Sequence, residues 1–117
     1  MKISPKRWYI YTVDLEPRVG TKPGKQRPCL VIQPNEFVAG GLESAVVLPL
    51  TSKVIAGDAF PLRVKIPQGF AGLTHNSDIL IDQILAWDIR LFRQELGELP
   101  ESLVEEVKAA LKDFLDL

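Results

Sequence analysis

WYIYTVDLEPRVGTKPGKQRPCLVIQP, residues 8–34, is the stretch on which the reading of the fold turns. Over residues 8–15, Tyr9, Tyr11, Val13 and Leu15 alternate with Trp8, Ile10, Thr12 and Asp14, the period of two that marks a β-strand. Residues 16–26 then carry two glycines, two prolines and no apolar pattern, which reads as a loop, and a basic one. Cys29, Leu30, Val31 and Ile32 begin a second strand. Arg27 stands at the junction. The core holds its backbone while its guanidinium points back toward the loop, a position suited to binding an anion.

Outward from this unit the same punctuation continues. Short apolar runs at residues 45–50, 62–66 and 79–87 are separated by AGG, AGD and PQGFAG, and many short strands with Gly and Pro between them predict a small barrel or sandwich. From Glu101 onward Leu103, Val104, Val107, Ala110, Leu111, Phe114 and Leu115 recur at helical spacing, with Glu105, Glu106, Lys108 and Lys112 on the other face. Pro100 and Glu101 suit a helix start. The expected architecture is mainly β: one domain over residues 1–117, a small barrel closed by a C-terminal α-helix, without internal repeat or linker.

Composition narrows the class. With 117 residues, 46% hydrophobic and 25% charged, the chain has the balance of an ordinary soluble domain with one core. The single cysteine, Cys29, excludes an internal disulfide and cannot build a zinc site with the lone His75. No signal peptide and no run of about twenty apolar residues is present, so a cytoplasmic protein off the membrane is expected, with no metal or cofactor.

Charge is unevenly spread beneath a net of −1. Residues 1–31 are net +5 and residues 95–117 net −5, so one face can be offered to a polyanion while the whole stays near neutral; two merely solvated faces would look the same. Arg18, Lys22, Lys25 and Arg27 lie along a loop that can wrap a phosphate backbone. In LPLTSK, residues 48–53, Thr51 or Ser52 can donate to a phosphate oxygen beside Lys53, or can simply satisfy a turn. Asp82 and Gln83 interrupt the apolar ILIDQIL, which sets Asp82 either at the barrel mouth or buried with a partner. His75, in FAGLTHNSD, reads as a solvent-exposed loop histidine.

In this order the pieces resemble the MazF/PemK family of toxin endoribonucleases, the mRNA interferases of bacterial toxin–antitoxin systems. YTVDLEPRVGTKPGKQRPCLVIQP is similar to the family's first strand, loop and second strand, LPLTS to its third strand end, and DILIDQILAWDIRLF to its late strand. The resemblance implies an SH3-like barrel of the MazF/PemK/CcdB-like kind with a C-terminal helix. It also implies a homodimer, metal-independent cleavage of single-stranded RNA and a cognate antitoxin. It makes Arg27 and Thr51 the catalytic pair. Asp82, Gln83 and Ser52 become further catalytic or RNA-binding candidates, with Arg18, Lys22, Lys25 and Lys53 as RNA contacts.

Two departures from the family pattern bear on activity. The first strand opens with Arg7, Trp8 and Tyr9 in place of a basic residue, glycine and an acid, and the two aromatics can stack on RNA bases or pack in the core or dimer interface. Leu85 follows Gln-Ile where the family often has arginine. These changes favour the competing reading, a non-catalytic RNA- or antitoxin-binding module on the same barrel; a gyrase-directed toxin on a related fold is a third reading.

Overall fold

The computed structural model describes residues 3–16 and 25–117. The loop cations Arg18 and Lys22 fall outside the described residues. In chain order the elements are β1 (Tyr9–Glu16), β2 (Lys25–Val31), α1 (Asn35–Ala39), β3 (Ser44–Thr51), β4 (Arg63–Ile66), β5 (Ser77–Leu80), β6 (Leu85–Asp88), a 3₁₀ turn (Ile89–Leu91), β7 (Phe92–Glu98) and α2 (Glu101–Leu115). Seven antiparallel strands run in the order β4-β5-β3-β2-β1-β7, with β6 also on β3. The expected mainly β architecture with a C-terminal helix is what forms, as a curled sheet whose end strands are β4 and β7.

The central strands have apolar residues on both faces, which is why their sequences read as runs more than as alternations. One cluster joins Ile10, Leu30, Leu48 and Leu50 to Ile79, Ile81 and the inner stripe of α2, Val104, Val107 and Ala110. The opposite cluster holds Tyr11, Val13, Cys29, Val31, Ala45, Val47 and Phe92. The apolar stripe expected along α2 is buried as far as Ala110, whereas Phe114 and Leu115 are exposed at its end.

Three boundaries differ from the sequence expectation. Lys25 and Gln26 belong to β2, paired with Glu16 and Asp14, so Arg27 lies within a strand opposite Val13. β7 has no apolar signature, because of its seven residues only Phe92 is buried and two register irregularities against β1 break its period. The run 79–87 is two strands, both antiparallel to β3. An unbroken ladder from Leu50↔Ile79 would set Val47 opposite Asp82, but Val47 meets Leu85, so three residues are looped out. The turn is closed by Gln83 N–H donating to the Leu80 carbonyl at 3.3 Å. Asp82 and Gln83 are therefore exposed at a turn, and of the two placements the sequence left open for Asp82, burial with a partner inside a strand is not the one that forms. A polar pair with water on all sides is cheaper to hydrate than to bury.

Tyr11 and Cys29 give the second cluster a pH signature. Burial, mainly, pushes the Tyr11 phenol from about 10 up to about 12, with Glu95 adding to the rise and the Lys6 N–H opposing it. Burial pushes the Cys29 thiol from about 9 up to about 12, against the charge of Arg27. Both groups hold protons in the folded chain that the unfolded chain releases, so their contribution is complete below about pH 9 and is lost as pH rises toward 12. Urea unfolding should show stability level from pH 7 to about 9 and falling above it, with Cys29→Ala moving the onset to about pH 10. A flat profile to pH 11 would contradict the burial of these groups.

Candidate active site

β2 and β3 run side by side only as far as Cys29↔Pro49. Beyond it β3 leaves β2 for β5, pairing Leu50↔Ile79 and Thr51↔Asp78, and the gap that opens is a cavity of about 530 Å³. Lys25, Gln26, Arg27 and Pro28 line it from β2, Leu50, Ser52 and Lys53 from the end of β3, Thr12 from β1, Leu96 from β7, Gly72 to His75 from the segment before β5 and Ser77 from the start of β5. Gly72 has φ +74°, and any Cβ there would collide with the Leu96 carbonyl, so glycine lets this segment press against β7.

The electrostatics of this cavity are one-sided. Lys25, Arg27 and Lys53 line it and, among the described residues, no carboxylate does. Among the described residues the Arg27 guanidinium makes no hydrogen bond or ion pair. The other described arginines are engaged: Arg7 donates to the Ile32 carbonyl at 2.9 Å, Arg63 to Asp78 at 2.9 Å, Arg90 to Asp88 at 2.7 Å and Arg93 to Asp14 at 2.9 Å. A cation left unpaired beside a concave surface is available to an anion.

Thr51 is half-buried next to the cavity, between the lining residues Leu50 and Ser52. Carried two residues past Cys29↔Pro49, the register of β2 on β3 would set Arg27 opposite Thr51. The Thr51 Oγ1 accepts the Lys53 N–H at 3.1 Å, the turn that the sequence allowed. That bond uses an acceptor lone pair and leaves the O–H free to donate.

The segment carrying Ser52 and Lys53 is held by a buried charge that the sequence reading passed over. Asp78 is fully buried; its Oδ2 accepts from Arg63 at 2.9 Å and from the Ile55 N–H at 3.1 Å, while its Oδ1 lies 3.7 Å from the Lys65 ammonium. Arg63 also donates to the Lys53 carbonyl at 3.2 Å and Lys65 to the Ile55 carbonyl at 2.6 Å. The alternation of RVKI, which puts Arg63 and Lys65 on one strand face, is the only sequence signal for it.

Of the residues nominated from sequence, Lys25, Arg27, Ser52 and Lys53 meet in the cavity and Thr51 adjoins it, while Asp82 and Gln83 sit outside its lining. Trp8 and Tyr9 are outside it too. Trp8 packs against the main core under the Arg7 guanidinium at 4.7 Å, and Tyr9 lies under the Lys6 ammonium at 4.1 Å. Leu85 packs against the second cluster, so its side chain takes no cation from the cavity. Sequence reasoning passed over Thr12 and Thr74 and read His75 only as an exposed loop histidine; all three line the cavity from distant segments. Among the described residues no group of three or more His, Cys, Asp or Glu could hold a metal ion, and no helix is long and apolar enough to cross a membrane.

A mainly β sheet with a C-terminal helix is the architecture the sequence resemblance implied, and the comparisons agree with it. Residues 6–115 match the model of the PemK-like, MazF-like toxins of type II toxin-antitoxin systems. The chain is 33% identical over 108 residues, 92% of its length and 94% of the relative's, to endoribonuclease MazF6 of Mycobacterium tuberculosis (strain ATCC 25618 / H37Rv). It is 31% identical over 112 residues, 96% and 95% of the two chains, to endoribonuclease EndoA of Bacillus subtilis (strain 168). A MazE-MazF crystal structure from Deinococcus radiodurans superposes with a TM-score of 0.78 at 25% identity, covering 98% of each chain. The chain belongs to the PemK-like, MazF-like toxins of type II toxin-antitoxin systems.

Proposed function

We propose that this chain, acting as one unit over residues 1–117, is an endoribonuclease that cleaves single-stranded RNA, mRNA above all, without a metal ion and leaves 2′,3′-cyclic phosphate and 5′-hydroxyl ends. The observation that carries the reading is the cavity that, among the described residues, is lined by Lys25, Arg27 and Lys53 without a carboxylate and leaves the Arg27 guanidinium unpaired. The relatives' names as endoribonucleases support it.

When a 2′-hydroxyl attacks the adjacent phosphate, negative charge grows on the non-bridging oxygens, and groups fixed in advance to meet that charge lower the barrier. Arg27 meets it with two parallel hydrogen bonds. Thr51 adds its O–H, oriented by the Lys53 N–H at 3.1 Å, with Ser52 beside it. Lys25 and Lys53, joined by Arg18 and Lys22, hold the flanking phosphates. Asp82 and Gln83, exposed on their turn, are assigned to flanking RNA contacts.

A cavity of about 530 Å³ is short for several nucleotides, so the working form is a two-fold homodimer that joins two such cavities into one channel. The cognate antitoxin inhibits by lying along that channel in the cytoplasm, as the MazE-MazF neighbour makes reasonable. The test is purified protein with a long RNA, its duplex and the matching single-stranded DNA, with cuts mapped by primer extension. Discrete cuts confined to single-stranded RNA are expected. RNA left intact at micromolar protein, or gyrase inhibition without RNA cleavage, would overturn the reading.

A further inference from the structure

His75 is a side chain for which the resemblance offers no role, and it lines the same cavity as Arg27 and Lys53. It is exposed and in a loop, as its sequence predicts, yet that loop is firmly tethered. Ser77 Oγ donates to the His75 carbonyl at 3.1 Å, the Gln68 N–H donates to Asn76 Oδ1 at 2.8 Å, and the Gly69 N–H donates to the Leu73 carbonyl at 2.9 Å. The ring itself is oriented, with Nδ1 3.0 Å from Thr74 Oγ1.

The groups facing His75 across the cavity are Lys25 and Arg27 from β2 and Lys53 from the end of β3; β1 and β7 contribute Thr12 and Leu96, which do not titrate there. Asp78 is nearby in sequence but is spent on Arg63 and Lys65 in the sheet. Lysine and arginine stay protonated at neutral pH and hydroxyls do not release protons there, so imidazole is the lining side chain suited to taking a proton.

Resting on the RNA-cleavage reading, we propose that His75 is the general base of this reaction. In the tautomer whose Nδ1–H donates to Thr74 Oγ1, Nε2 carries the lone pair, and it takes the proton of the RNA 2′-hydroxyl. The O2′–P bond forms as the P–O5′ bond breaks, with Arg27 holding the non-bridging oxygens. The departing 5′-oxygen takes a proton from water, and the imidazolium returns its own to solvent, so the cycle closes without a further reactant.

The experiment compares full-length wild type with His75→Gln and His75→Gly on a single-cut RNA oligonucleotide from pH 5 to 9. In wild type kcat/KM should climb with pH and then level off. His75→Gln should lose about 10²- to 10⁴-fold in kcat, keep RNA affinity within about threefold, and lose that inflection. Added imidazole should recover part of the rate of His75→Gly. Wild-type rate and profile in His75→Gln would overturn the assignment while leaving the nuclease reading intact; a wild-type protein that cuts no RNA would overturn both. A loss in His75→Gln matched by weaker RNA binding, with the inflection retained and no rescue by imidazole, would mean a structural role and would also overturn it.

Discussion

Arg27→Ala should cleave single-stranded RNA about 10²- to 10³-fold more slowly than wild type while binding it within about tenfold of wild-type affinity. The asymmetry follows from where the group acts. In the ground state each phosphate carries one charge that Lys25 and Lys53 also meet, so losing one of three lining cations weakens binding modestly. In the transition state the added charge sits on oxygens that a planar fork meets with two bonds. Arg27→Lys keeps the charge and loses the fork, and should recover less than a tenth of the lost rate. Folding is not at issue, since the guanidinium makes no bond among the described residues. Rates from single-turnover cleavage and affinities from fluorescence anisotropy would decide it. Equal losses in rate and binding would make Arg27 a docking residue.

The largest stability effect is expected at Asp78. It is fully buried and holds Arg63, Lys65 and the Ile55 N–H, and the same two cations reach the Lys53 and Ile55 carbonyls. Asp78→Ala leaves Arg63 half in the protein without its counter-charge and frees residues 52–55 from the sheet. Removing one partner of a buried pair costs about 3 kcal/mol where the other retains some access to water, as Arg63 does at 28% exposure. For a domain of this size that is a fall of roughly 10 to 20 °C in Tm. Because residues 51–53 carry the Thr51 and Ser52 hydroxyls and Lys53, kcat should fall as well, even at temperatures where the variant is fully folded. Asp78→Asn, which keeps the Ile55 bond and loses the charge, should lie between. Calorimetry with a cleavage assay on the same samples measures both. Unchanged Tm in Asp78→Ala would mean the cluster does not anchor this segment.

Much of the fold was legible because apolar period and turn residues agree where strands are buried. β1 alternates cleanly, β2 and β3 read as runs because both faces are covered, and α2 shows its stripe. β7 was not legible, since an edge strand covered in Arg93, Gln94 and Glu95 has no apolar signature of its own. The break at Asp82 was visible as a polar pair, but whether such a pair is buried or looped out depends on the register of β5 and β6 on β3, which no local pattern contains. The site followed the same rule. Arg27, Ser52 and Lys53 could be nominated from short motifs at strand ends. His75 and Asp78 gain their meaning only when β5 comes to lie beside the end of β3, bringing one into the cavity and the other beneath its rim.

Metal-independent transesterification at Arg27 is the central claim, and the chemistry of the cut ends tests it most directly. Purified protein and a 5′-labelled single-stranded RNA are incubated in EDTA, and the two new ends are characterised. Full cleavage in EDTA is expected, with upstream fragments ending in 2′,3′-cyclic phosphate and downstream fragments that polynucleotide kinase labels without prior phosphatase treatment. Cleavage that stops in EDTA, returns with Mg²⁺ and leaves 5′-phosphate ends would contradict it.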